Sequence, residues 1–589
     1  MRFLSNILST IIGLFLFVMI LFFGLIFIGA VFGGSNSGKV TVKDNSVIEL
    51  DLSKIVNDYG GQYFIKDFDY TQVNHDGLVD VLRALDAAKT DTKIKGISIL
   101  NGTNSLGLAQ LSELREKLNE FKQTGKFIVA YGDVYDQKQY YLNTIADTVY
   151  INPVGQLDFR GLGAEILFYK ELQEKTGIKM EVIRHGKYKS AVEPYLENSI
   201  SEANREQNLA LLNSVWGTIS TSISESRNIS MDSLNYIATN LAAQYPENAL
   251  ALKMVDKVVY EDEFHNGIKH ALGVAKTESY SKIKILDYAF DVANTVKKQK
   301  TDDRIAIIFA QGTILSGEGD ATYIGEGSIR RSLENARNNN KVKAIVLRVD
   351  SPGGSALTSD LIWREIELTK KVKPVVVSMG NTAASGGYYI ACNANKIFAD
   401  KATITGSIGV FGVIPNFAQL SNNIGIHASQ VQTHKQAIAY SPFEPMTEDF
   451  RTDMTKGVER IYDIFISRVA QGRNMTKEQV NEIAQGRVWT GAEALENGLV
   501  DEIGSIDDAI AEAAKLANIK TYRISDFPKY ESDFEGLLSK LFAFSFLKTK
   551  EALIEEYVGT QTYKALQQQK MIQKMEGVQA ILPYQIDFK

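Results

Sequence analysis

The stretch "AIVLRVDSPGGSALTSDLIWREIELTKKVKPVVVSM", Ala344 to Met379, decides the fold. "AIVLRV" (Ala344–Val349) and "PVVVSM" (Pro374–Met379) are short β-branched runs, the pattern of parallel strands buried on both faces. Between them, "LTSDLIWREIELTKK" carries apolar residues at helical spacing. Strand, helix and strand of this length form a right-handed βαβ unit, with helices covering the sheet. The fold class is therefore α/β.

The pattern occurs twice. "KIKGISILNGTN" at Lys93 matches "KVKAIVLRVDSP" at Lys341, and "FIVAYGDVYDQKQYYL" at Phe127 matches "VVVSMGNTAASGGYYI" at Val375. "TGIKMEVIRHGKYKSAVEPY" at Thr176 matches "IGIHASQVQTHKQAIAYSPF" at Ile424. Gly132 and Gly380, Gly177 and Gly425, and Pro194 and Pro442 each differ by 248. A constant offset over so many landmarks marks a tandem duplication. The expected layout is an N-terminal membrane anchor (1–38), a first α/β repeat (39–298), a second (299–525) and a C-terminal tail (526–589). The Lys/Asp-rich "VKKQKTDDR", Val296 to Arg304, reads as the linker.

Composition narrows the function. A chain of 589 residues exceeds what one core accommodates. With 44% hydrophobic and 23% charged residues it is not a disordered chain. A formal net charge of -6 gives no global attraction to nucleic acid. The single cysteine, Cys392, excludes an intrachain disulfide and Cys-rich metal sites, and no cofactor is expected. From Phe3 to Gly38 there is no charged residue, and Ile11 to Phe32 is almost wholly apolar. That run matches the roughly 20 residues of a membrane-spanning helix. A cleaved signal peptide has a shorter apolar core of about 7–15 residues, and Ala30-Val31-Phe32 is a poor cleavage exit. An uncleaved single-pass anchor is expected. Arg2 and the terminal amine nearly balance Lys39 and Lys43, so charge does not set its orientation.

The differences between the copies locate the chemistry. In the second copy "DSPGG" (Asp350–Gly354) follows a strand, and the first copy reads "GTNSL" there. Ser385-Gly386-Gly387 precedes "YYIA", where the first copy has Gln137-Lys138-Gln139. Conversely, Lys189 of the first copy aligns with Ala437. Each repeat holds half of a possible site.

"KYKSAVEPY", "DSPGG", "AASGGYY" and "TGSIGVFG", in this order on an anchored duplication, resemble the signal peptide peptidase A (protease IV) family in its long form. The resemblance covers essentially the whole body. It implies a ClpP/crotonase-type fold and a Ser-Lys peptidase, with Ser385 as nucleophile, Lys189 as general base and Ser407 orienting the lysine. It further implies cleaved signal peptides and other apolar peptides as substrates, and a homo-oligomer, a tetramer in the family. The body would stand on the periplasmic side of a bacterial inner membrane.

The residues make chemical sense of that assignment. A serine hydroxyl needs an adjacent base, and a lysine serves only when neutral. Its ordinary pKa is about 10.4, and burial lowers it. An interface between repeats supplies such burial. Gly386, and Gly354 or Gly353, are candidates for the backbone donors of an oxyanion hole, each worth roughly 2.7–4 kcal/mol. Such peptides would bind as an added strand. Glu193 lies near Lys189 in sequence, so burial must outweigh any pairing there. His185 is a rival base, although His434 stands at nearly the same place in the other copy. Asp350 is expected to cap the turn that follows it. The apolar segment "EGLLSKLFAFSFLK" (Glu535–Lys548) is expected to pack on a neighbouring subunit or graze the membrane. Two rival functions are a crotonase-like acyl-CoA enzyme and a non-catalytic membrane scaffold. The first has no use for an anchor or for Lys189.

Overall fold

The computed structural model describes residues 2–33, 42–65, 70–102, 104–295, 301–531 and 578–582. Most of the expected linker (296–300) and the apolar segment 535–548 lie outside these residues.

Both copies build the α/β layers that the β-branched runs predict. The first copy's sheet takes the order Lys257–Val258, Thr148–Leu157, Phe127–Tyr135, Ile94–Leu100, Ser46–Asp51 and Ser281–Lys284. The second copy's sheet runs Val488–Thr490, Ile404–Gly406, Val375–Ala384, Val342–Ser351, Arg304–Gln311 and Arg523–Phe527. Central neighbours pair in parallel in both sheets. The covering helices Leu108–Lys122 and Ala356–Lys370 begin and end 248 residues apart, the offset of the sequence repeat. In the second, Ser355 starts the helix by accepting from the Thr358 N–H, at 3.3 Å. The strand Arg523–Phe527 crosses the expected start of the tail at 526 and adds to the second sheet.

The copies are fused rather than tethered. One apolar core runs from Ile48 and Leu82 in the first copy to Ile307 and Val376 in the second. Tyr59 stacks on Phe309 across the boundary with ring centroids 4.5 Å apart. Beside it, the fully buried Arg348 of the second copy meets Asp58 (2.6 Å) and Glu113 (2.8 Å) of the first. Burial alone would lower the pKa of this guanidinium; the two carboxylates reverse that and hold it above its ordinary value. Removing either acid would strand a buried charge.

A third sheet joins the copies at the site. Its order is Tyr323–Gly325, Thr313–Leu315, Gly353–Ser355, Gln579–Ile581, Val410–Asn416 and Lys179–His185. The last strand comes from the first copy and pairs antiparallel with Val410–Asn416 of the second. It ends four residues before Lys189.

The helix Arg2–Gly33 carries exposed apolar side chains from Ile11 to Phe23. Among the described residues no helix is long and apolar enough to cross a membrane. Its longest continuous run of described side chains, 9–24, is shorter than the roughly 20 residues of a span. The remainder of the expected anchor lies outside the described side chains.

Candidate active site between the two repeats

Ser385 ends the strand Val375–Ala384 and opens the short helix Gly386–Ala391. Its backbone sits at φ +55°, ψ −114°, a region that a non-glycine residue occupies only under constraint. Its N–H donates to Gly406 O (2.8 Å). Ser407, at φ +49°, is held likewise by its N–H donating to Arg487 O (2.6 Å). These two strained serines lie on adjacent chain segments of the same sheet.

Lys189 enters from the first copy. Its Nζ lies 2.9 Å from Ser385 Oγ, 3.0 Å from Ser407 Oγ and 3.1 Å from Ser407 O. Lys189, Ser385 and Ser407 are all fully buried. Burial is the cause that holds the amine well below the ordinary lysine range, since removing water penalises the charged form. Glu193 does not oppose this, because its carboxylate accepts from the Ser201 N–H (2.6 Å) and Asn204 Nδ2 (2.6 Å). The geometry thus places a lysine amine biased to neutrality against a serine hydroxyl on strained backbone.

The glycine loop faces the same point. Gly353 stands at φ +99°, and a Cβ there would lie 2.6 Å from Gly386 N. Its N–H donates to Ser351 Oγ (3.1 Å), which leaves the Gly354 and Gly386 N–H groups as the oxyanion candidates. A Cβ on Gly354 would lie 2.0 Å from Ile314 O, so only glycine fits. Asp350 does not cap the turn after it. It accepts from the Thr382 N–H (2.9 Å) and from Asn381 Nδ2 (3.5 Å), tying the glycine loop to the strand that ends at Ser385. Burial, with Asp58 adding, pushes its carboxyl up to about 7. His185 ends its strand stacked on Tyr462, with ring centroids 4.0 Å apart, while Lys189 takes the place beside the hydroxyl.

Two features escaped the sequence reading. The first is the turn Gln485–Arg487. Gln485 O accepts from the Tyr188 N–H (2.8 Å), the Gly486 N–H donates to Ile408 O (2.8 Å), and Arg487 O holds Ser407. A Cβ on Gly486 would lie 2.7 Å from Lys189 Cβ. This turn therefore sets lysine and Ser407 at once; its one visible signal is "QGR" before "VWTG". The second is the chain's own C-terminal strand, which pairs antiparallel with the glycine loop, Gly353 with Ile581 and Gly354 with Ala580. The Leu582 N–H donates to Pro352 O (2.6 Å) and the Ala356 N–H to Val578 O (3.3 Å). By antiparallel alternation the intervening Gly354–Ala580 pair is in hydrogen-bonding register. A Cβ on Gly386 would lie 3.0 Å from Ala580 O, so that carbonyl reaches both candidate donors. Ile581 sits in an apolar pocket with Val192 and Phe411.

Among the described residues no group of three or more His, Cys, Asp and Glu gathers as metal ligands would. Cys392 is buried in the core, where burial pushes its thiol up to about 12.

Two fused α/β repeats, with a buried lysine of one beside a strained serine of the other, define a class of hydrolase-like architecture. The chain belongs to peptidase family S49, whose family model matches twice, over residues 120–275 and 367–520. It is 37% identical to Protease 4 of Haemophilus influenzae over 491 residues, covering 81% of this chain and 79% of that protein. To Protease 4 of Salmonella typhi it is 36% identical over 544 residues, covering 89% and 86%. To the chloroplastic serine protease SPPA of Arabidopsis thaliana it is 34% identical over 438 residues, covering 73% and 64%. Among solved structures, a ClpP1 mutant from Listeria monocytogenes aligns with TM-score 0.24 and 17% identity, over 36% of this chain and 95% of that one.

Proposed function

We propose that the chain is a membrane-anchored serine endopeptidase acting through a Ser385–Lys189 dyad on cleaved signal peptides and other apolar peptides. The observation that carries this reading is the 2.9 Å separation of Lys189 Nζ and Ser385 Oγ in a site without solvent. Neutral Lys189 takes the hydroxyl proton as Ser385 Oγ attacks a peptide carbonyl. The oxyanion develops against the Gly354 and Gly386 N–H groups, and the short helix after Ser385 adds positive potential there. Protonated Lys189 then passes its proton to the leaving amine. In the second half-reaction it activates the water that releases the acyl group. Ser407 holds the amine in line through both transfers.

The C-terminal strand supports peptide over acyl-CoA chemistry. An extended backbone fits the space beside the glycine loop, and its carbonyl at Ala580 lies against the proposed donors. A substrate peptide would take the same track as an added strand. The charge-free N-terminal helix is the anchor in this reading, with the body on the periplasmic face of a bacterial inner membrane.

A fluorophosphonate probe tests the nucleophile: it labels the full chain and leaves Ser385→Ala unlabelled. Label on Ser385→Ala, or none on the native chain, overturns the assignment. Synthetic signal peptides in liposomes test the substrate class, since they are cut faster than polar peptides of equal length if the proposal holds.

A further inference from the structure

The duplication makes one internal contact that has no internal counterpart. Within the chain, Lys179–His185 of the first copy pairs antiparallel with Val410–Asn416 of the second, from Val410 opposite His185 to Asn416 opposite Lys179. Shifted by the 248-residue offset, the same contact joins 427–433 of the second copy to 162–168 of the first. Among the described residues neither segment belongs to a sheet, although both are placed. They face solvent with apolar side chains, Val431 95% exposed and Leu167 63% exposed.

The flanking structure repeats as well. The helices Lys170–Thr176 and Ala418–Asn423 occupy matching positions. The Tyr169 N–H donates to Pro194 O (2.7 Å), and its counterpart Phe417 N–H donates to Pro442 O (2.6 Å). The Leu420 N–H then crosses between copies to Gly177 O (3.0 Å), and a Cβ on Gly177 would lie 2.7 Å from Leu420 N. The counterpart glycine, Gly425, has the same left-handed backbone, φ +80° against +73°, yet faces open space. Its matching donor, the Leu172 N–H, lies in the first turn of its helix, where no intrahelical acceptor exists.

We infer that a second copy of this chain completes the contact: residues 427–433 of one subunit add as an antiparallel strand to 162–168 of the next. The register follows from the internal pair, with Leu162 opposite Thr433, Ala164 opposite Val431 and Phe168 opposite His427. Leu172 N–H of one subunit reaches Gly425 O of its neighbour. The two surfaces differ, so the contact is head-to-tail and closes into a ring. The pairing also covers an exposed apolar segment that would otherwise invite indiscriminate association. It is independent of the chemistry proposed for Ser385.

The native cysteine is buried, so introduced pairs report cleanly. The full-length double variant Ala164→Cys/Val431→Cys, oxidised in detergent, gives a covalent ladder ending in one closed species. The two single variants give no ladder separately and only dimers when mixed. The off-register pair Ala164→Cys/Gln430→Cys cross-links far more slowly, because adjacent residues point to opposite faces of a strand. Separately, Val431→Pro sediments as a single chain with unchanged circular dichroism, while the native chain sediments as a ring. A native single chain, an oligomer that the in-register pair does not cross-link, equal cross-linking off register, or an unchanged mass in Val431→Pro would each overturn the inference.

Discussion

The two repeats share a scaffold and treat the same cleft in opposite ways. At the position of Ser385 the first copy has Gln137, whose Oε1 accepts from the Gly161 N–H (2.9 Å) and whose Nε2 donates to Gly161 O (3.2 Å). That amide closes the loop that in the second copy passes Lys189. At the position of Ser407 stands Phe159, buried against Tyr140 and Trp216. At the position of Gly354 stands Leu106, fully buried. The first copy has filled its cleft with side chains. The second has emptied it with glycines and small hydroxyls, and holds strained backbone at both serines. Conversely, the lysine survives only in the first copy; its counterpart Ala437 lies in an exposed segment. One active site has been assembled from two half-retained ones.

The largest break in that comparison is Lys189→Met, which makes both copies alike at the lysine position. Peptide cleavage is expected to fall by at least about 10³-fold, as when one member of a nucleophile–base unit is removed. Activity left intact would mean that a base outside the dyad operates. Burial also predicts the pH profile. Because the amine is held well below its ordinary value, the acid limb of the rate lies well below pH 10.5. Across the window between the lowered value and the ordinary one, the unfolded chain binds a proton that the folded chain does not. Stability from this group therefore rises with pH there. Chemical denaturation of Lys189→Met across that range should show a flatter dependence.

Next in size is Gly354→Ala, a step toward the first copy's Leu106. A Cβ 2.0 Å from Ile314 O displaces the loop and with it one oxyanion donor, and a loss of roughly 10²-fold or more in kcat is expected. A fall confined to KM would assign the loop to binding alone. Truncation after residue 577 removes the strand that lies over the glycine loop of the second copy only. Cleavage of short peptides should rise several-fold if that strand competes with substrate; a fall with the fold intact would place substrate elsewhere. The smallest effect is reserved for His185→Ala, which should cleave at near the native rate with a slightly lower Tm from the lost Tyr462 stacking. Loss of activity there, with Lys189→Met active, would reverse the roles of lysine and histidine.

Much of this was legible in advance because it is written locally. The β-branched runs, the helical spacing after Ser355 and the constant offset gave the paired α/β repeats. Residues present in one copy and absent from the other marked Ser385, Lys189 and the glycines. The role expected of Asp350 was wrong in detail, because its partner, the Thr382 N–H, is reached only when neighbouring strands lie side by side. The turn Gln485–Arg487 and the strand Gln579–Ile581 went unseen. Each is a short, ordinary sequence whose meaning comes from what it lies against.

By itself, the amino-acid order determined the fold class, the duplication and the identity of the chemical groups, since these follow from periodicity, residue type and repeat offset. The tertiary structure alone decided that Lys189 meets Ser385, that water is excluded from both, and that Gly354 rather than Gly353 keeps a free N–H for the site. Those are properties of distance and burial. They arise only when two copies share one core, because desolvation sufficient to favour a neutral lysine requires protein on every side.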